Sequence, residues 1–160
     1  MARTLRVAVL GTSWYGEIID SLRKAAHATL QEAGVAAEHI RDLSVPGAFE
    51  LPQAAAWLAR AGEVDAIVAL GCIVRGETPH FDFVAAAACD GLTRVAIDTG
   101  IPIGLGVITA NTMEQAQDRS GPATGKGGNK GIEAADAALR MALLYSDLER
   151  ERNASRGGLR

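Results

Sequence analysis

Between Gly71 and Phe83 the chain reads GCIVRGETPHFDF, which brings Arg75, Glu77, Thr78 and His80 into one short polar loop after an apolar run. An unperturbed imidazole titrates near pH 6.5, roughly where one group can both take and give a proton at neutral pH. Two other segments have related content: Gly11-Thr12-Ser13-Trp14-Tyr15, and VPGAFE with Phe49 and Glu50. Together they offer flat apolar surface for stacking on a ring, a carboxylate for amine or hydroxyl donors, backbone N–H groups for an anion, and one imidazole. A glycine-dense segment, SGPATGKGGNK over 120–130, is bordered by Arg119 and contains Lys126 and Lys130, three cations suited to a phosphate or to plain solvation. From loop position alone, Trp14 and Phe49 read equally well as core anchors or ligand-facing rings, and Glu50 at a helix start as a dipole partner. His27 and His39 lack such neighbours and read as surface or linker residues.

These loops need elements to position them. Leu5 to Leu10 is a β-favouring apolar run closed by Gly11, and from Tyr15 the positions Ile18, Ile19, Leu22, Ala25, Ala26 and Leu30 recur with helical period. Ile40 to Val45 reads as a second strand broken by Pro46-Gly47, with a short helix opening at Glu50-Leu51-Pro52 and running to Arg60. Ala66 to Val74 is a third strand, His80 to about Thr99 a third helix, and Ile103 to Thr109 a fourth strand. Asn111-Thr112 then caps a short helix ending at Arg119. The glycine segment follows as a loop, mobile or dependent on partner contacts. Ile132 to about Leu148 is an alanine-rich last helix, and the charged stretch 149–160 is expected to be disordered. Four strands alternating with helices predict a parallel sheet covered on both faces, a flavodoxin-like three-layer α/β/α fold. Residues 1–148 form one domain in this reading. All three βα loops then emerge at one sheet edge, where open α/β sheets bind ligands.

The 160 residues are 48% hydrophobic and 22% charged with a formal net charge of -3, the composition of a soluble globular chain without general attraction to nucleic acid or an anionic membrane. Cys72 and Cys89 have neither a CxxC spacing nor a histidine cluster, so they read as buried free thiols, with no metal site expected. No signal segment or membrane span is read, and a cytoplasmic location is expected.

Four segments, VPGAFELP at Val45 to Pro52, ALGCIVRGETPHFDFV at Ala69 to Val84, GVITANTMEQAQDR at Gly106 to Arg119 and GNKG at Gly128 to Gly131, occur in the order found in lumazine synthases, and the chain closely resembles that family. The resemblance implies a transferase of riboflavin biosynthesis. It would condense 5-amino-6-(D-ribitylamino)uracil with 3,4-dihydroxy-2-butanone 4-phosphate to give 6,7-dimethyl-8-ribityllumazine, phosphate and water, with no cofactor. By position, Trp14 matches the aromatic that stacks on the pyrimidine, and Ala48, Phe49 and Glu50 hold the ring and ribityl chain. Cys72, Ile73 and Val74 line the pocket, Gly76, Glu77 and Thr78 match the phosphate-side loop, and His80 matches the proton-transfer histidine. Leu105, Arg119 and Lys130 match positions that family members contribute from the neighbouring subunit, Arg119 being the main phosphate ligand.

Homo-oligomers built on pentamers, with sites at subunit interfaces, are therefore implied. Trp14 replaces a more usual phenylalanine and Leu105 a frequent aromatic. The segment before the first strand is short, which implies little or no exchange of a strand with a neighbour. The 119–130 loop looks longer than in capsid-forming members, which implies free pentamers or pairs of them. The alternatives are a catalytically weak flavin- or lumazine-binding paralogue or regulatory isozyme, which would need neither His80 nor Arg119, and an archaeal-type riboflavin synthase, which would need no butanone-phosphate site.

Overall fold

Side-chain alternation along the strands decides the layering. In the first strand, β1 (Val7–Thr12), Val7 and Val9 enter one apolar cluster while Ala8 and Leu10 enter another. Along β3 (Ala66–Val74), Ala66, Val68, Leu70 and Cys72 face the first cluster and Ile67, Ala69 and Ile73 the second. Both strands are therefore buried on both faces, which is why they read as unbroken apolar runs.

The computed structural model describes residues 2–122 and 124–157. Its four-stranded sheet is wholly parallel with order β2-β1-β3-β4, where β2 is Ile40–Val45 and β4 is Ile103–Ala110. Leu10 pairs with Leu43 on one side and Ala69 on the other, and Gly71 pairs with Val107. Helices α1 (Gly16–Glu32), α4 (Met113–Asp118) and α5 (Lys130–Gly157) cover one face through Leu22, Ala116 and Ala135; α2 (Leu51–Ala61) and α3 (His80–Thr99) cover the other through Leu51, Ala55, Ala88 and Leu92. This is the flavodoxin-like α/β/α arrangement read from the sequence. Among the described residues no helix is long and apolar enough to cross a membrane.

Several bounds differ from the sequence reading, the ends of β1 and of the last helix among them. Gly11 does not close β1: Gly11 and Thr12 continue the ladder against Ser44 and Val45. A side chain at Gly11 would collide with the guanidinium of Arg23, which crosses here to donate to Leu43 O at 2.8 Å and Ser44 Oγ at 2.9 Å. The glycine serves close approach rather than strand ending.

The last helix runs to Gly157, well beyond Leu148, and so holds residues 149–157 of the stretch expected to be disordered. Asp147 pairs with Arg150 and Glu149 with Arg152, each one turn apart, which supports an exposed helix that has little apolar surface to bury. Residues 158–160 of that stretch lie outside the described residues.

The glycine segment is pinned at its base. Ser120 bridges Asn129 in antiparallel fashion, and the buried Asn129 amide donates to Ser120 O at 3.0 Å and Gly121 O at 2.8 Å while its oxygen accepts from Gly131 N–H at 2.9 Å. At the other end of the chain, Ala2–Thr4 forms a 3-10 turn, and the Arg3 carbonyl lies 2.9 Å from His39 Nδ1.

Candidate active site

The first βα loop turns into α1 through a left-handed residue. Tyr15, at the N-cap of α1, has φ 57° and ψ 50°, a left-handed conformation unfavourable for a residue with a side chain. The preceding turn is tied across the sheet, Ser13 N–H donating to Val45 O at 2.8 Å. Trp14 is left 68% exposed instead of folding into the core.

The second loop makes room for that ring. A side chain at Gly47 would meet the Trp14 indole and Glu50 Oε2. Glu50 accepts from the Gly47 N–H at 3.0 Å, and the Glu50 N–H donates back to Gly47 O at 3.2 Å, so this carboxylate closes the turn that opens α2. Phe49, beside it, is 63% exposed.

The third loop leaves the carboxyl end of β3 and enters α3 at His80. Trp14, Gly47, Ala48, Phe49, Glu50, His80, Phe83 and Val84 enclose an open groove of about 430 Å³. A smaller recess of about 220 Å³ adjoins it, lined by Cys72, Ile73, Val74, Gly76 and Thr78, and shares Trp14, Ala48, His80 and Val84 with it. His80 thus faces both compartments, and no hydrogen bond within the described chain engages its ring. Phe49 and Phe83 add rings to Trp14 in the groove, while the recess combines Trp14, Tyr15 and Phe81 with the end of β3 and the loop after it. That arrangement can stack a planar ring beside a small polar group with an imidazole between them.

Ten of the fourteen residues read from the sequence line these two spaces, and four do not. Glu77 is exposed on the loop and lines neither. Leu105 lies on the edge strand β4, 50% exposed. Arg119 ends α4, its Nη1 donating to Gln115 O at 2.8 Å, and Lys130 begins α5, its Nζ 2.6 Å from Glu133 Oε2. Arg119 and Lys130 are adjacent to each other, the Lys130 N–H donating to Arg119 O at 2.9 Å.

Phe83 and Val84 line the groove and were not read as site residues. The signal was available: they stand three and four positions after His80, on the same helix face. Phe83 is 73% exposed, a large ring left uncovered at the first turn of α3.

Burial pushes the Cys72 thiol up to about 11, so it enters the recess as a neutral apolar wall rather than a nucleophile. The hydrogen bonds from Arg75 hold the Asp82 carboxyl below its ordinary value, and that carboxylate raises Arg75 in turn. Among the described residues no group of three or more His, Cys, Asp or Glu side chains is placed to hold a metal ion.

The family model for 6,7-dimethyl-8-ribityllumazine synthase matches residues 4–146. A protein of that name from Kocuria rhizophila is 52% identical over 142 residues, 89% of this chain and 88% of the relative. The like-named protein of Porphyromonas gingivalis is 46% identical over 142 residues, 89% and 86% of the two chains. That of Kineococcus radiotolerans is 52% identical over 139 residues, 87% and 84%.

Proposed function

The chain belongs to the 6,7-dimethyl-8-ribityllumazine synthase family, and we propose that it forms its product in the groove between Trp14 and His80. It is an enzyme of riboflavin biosynthesis. The observation that carries the site assignment is the convergence of Trp14, Phe49 and Phe83 from three different elements around one imidazole.

The substrates are the ribitylaminouracil and the butanone phosphate. The pyrimidine stacks on Trp14, with Ala48, Phe49 and Glu50 placing its ring and ribityl chain, and the butanone phosphate enters the recess beneath Cys72, Ile73 and Val74. Gly76, Glu77 and Thr78 form its phosphate-side loop. The uracil amine attacks the ketone, water leaves as an imine forms, phosphate leaves by elimination, and ring closure expels a further water. Each step moves protons and none needs an electron sink, so His80 serves in turn as base and acid. Holding two small reactants together in one orientation supplies much of the acceleration.

A cation must meet the departing phosphate, and Arg119 is the one assigned to it, with Lys130 beside it. Both stand apart from the groove of their own chain, as does Leu105. This separation supports a site completed by a neighbouring copy, in a homo-oligomer built on pentamers. Residues 1–148 act as one catalytic domain, and the enzyme works in the cytoplasm. The reading of a weakly catalytic flavin-binding paralogue is not favoured, since the groove keeps its imidazole and the relatives carry the synthase name.

The test is lumazine formation from the two purified substrates by absorbance, with light scattering to hold oligomeric state constant. His80→Ala should lower kcat, and Arg119→Ala should act mainly on use of the ketone phosphate. A wild-type chain with no turnover above the uncatalysed rate and tight flavin binding would overturn the assignment. A shell-sized particle at neutral pH would overturn the free pentamer or paired pentamer expected from the 119–130 loop.

A further inference from the structure

Arg75 lines neither compartment, yet its side chain ties together Asp82, Asn111 and Phe81 beside them. Its Nη2 and Nη1 donate to Asp82 Oδ1 and Oδ2 at 2.8 and 3.1 Å, a two-pronged grip on the first turn of α3. Its Nε donates to Asn111 Oδ1 at 3.1 Å, and the guanidinium lies 4.3 Å from the centre of the Phe81 ring. The Arg75 N–H also donates to Ala110 O at 2.9 Å, extending the join between the ends of β3 and β4.

The contacts continue beyond Asn111. Its N–H donates to Gln115 Oε1 at 2.9 Å, and the Gln115 carbonyl accepts Arg119 Nη1 at 2.8 Å. An unbroken series of hydrogen bonds therefore runs from Asp82, two residues after His80, through Arg75, Asn111 and Gln115 to Arg119. Among the described residues the imidazole has no hydrogen-bond partner, so its placement depends on how the first turn of α3 is held.

We propose that Arg75 is a positioning residue: by gripping Asp82 and Asn111 together it sets the first turn of α3, and hence His80, in one frame with the α4 end that carries Arg119. This rests on the assignment of His80 as the proton-transfer group. It goes further in making the placement of the proton-handling group and of the phosphate cation of one chain a single adjustment. Where Arg119 serves the adjacent pocket, Arg75 links the geometry of neighbouring sites.

A lysine cannot replace this arginine, because one ammonium cannot span both carboxylate oxygens and the Asn111 amide in a fixed plane. An exposed arginine–carboxylate pair contributes little to stability, so loss of the grip should show in turnover before it shows in folding.

The test uses the full-length assembled enzyme and both substrates, with Arg75→Met, Arg75→Lys, Asp82→Asn and the double variant Arg75→Met/His80→Ala. Displacing a catalytic group by a fraction of an ångström predicts a fall in kcat of about tenfold for Arg75→Met, with Arg75→Lys and Asp82→Asn close to it. In the His80→Ala background the same change should lower kcat by less than about twofold, because there is no imidazole left to place. Should Arg75→Met fail to assemble, Asp82→Asn, alone and with His80→Ala, is read by the same criteria. The inference is overturned by an assembled variant with unchanged kcat, by full rescue with lysine, or by losses that multiply with His80→Ala. An inactive wild-type chain would instead remove the reading of the site and this inference with it, so the two failures are told apart.

Discussion

The Lys130 N–H donates to the Arg119 carbonyl at 2.9 Å, which fixes the two cations at the mouth of one pinned loop although the whole glycine segment separates them in sequence. Asn129 makes that closure. It is buried, and its amide satisfies two carbonyls and one N–H. Asn129→Ala would strand those groups at a cost of about 1–3 kcal/mol. The expected outcome is a lower urea midpoint together with a raised KM for the butanone phosphate, because both cations lose their common frame, while KM for the pyrimidine stays near wild type. Unfolding curves and two-substrate kinetics check both.

Trp14 offers the complementary case. It is exposed, just before the left-handed Tyr15, so its removal should leave the core intact. Ring stacking is worth about 1–3 kcal/mol when lost to alanine, so Trp14→Ala should weaken pyrimidine binding roughly 5- to 150-fold without shifting the thermal midpoint. Trp14→Phe keeps a π face and should retain most of the affinity. Isothermal titration with the pyrimidine substrate, alongside thermal melts, separates ligand-facing from core-anchoring behaviour.

The sequence was most informative where structure is local. The unit from Ala66 to Thr99 stands with the bounds read from it, because an apolar run, a turn rich in glycine and proline, and an alanine-rich helix each announce themselves in neighbouring residues. Features set by distant pairings were not legible. The staple at Asn129 reaches Ser120, and Gly11 stays in β1 by pairing with Ser44 while Arg23 folds over it. The helix over 149–157 was missed since charge density signals solvation and says little about one-turn ion pairs. The residue types of the site were readable; that Leu105, Arg119 and Lys130 stand away from the groove was not to be had from spacing.

Of the described glycines, Gly104 has the least room for a side chain. A side chain there would be driven into the Ala134 carbonyl of α5, with Ala138 also close by. Overpacking of this kind costs about 1–3 kcal/mol, and here backbone must move as well. Gly104→Ala should therefore lower the urea midpoint clearly. Gly16→Ala, in the first turn of α1 with open space around it, should stay near wild type or improve on it. Equilibrium denaturation of the two variants side by side is the check.

Acid stability should report the pair that joins the start of β1 to the start of β3. Arg6 Nη2 lies 2.7 Å from Asp65 Oδ1, and the Arg6 N–H and Nε both donate to Asp65 Oδ2, at 2.8 and 3.1 Å. These hydrogen bonds hold the Asp65 carboxyl below its ordinary value. With the folded value depressed, the contribution is complete above the unfolded carboxylate value, near 3.9, and is lost as pH falls through the folded one. The pair is about one-third to one-half exposed, so screening limits it to about 1 kcal/mol or less. Asp65→Asn should thus be less stable than wild type at pH 7, and the gap should close progressively below pH ~4 as the wild-type carboxyl protonates. Urea midpoints of the two chains from pH 7 down to the acid transition measure that gap; a constant difference across the range would show that packing rather than charge is what Asp65 supplies.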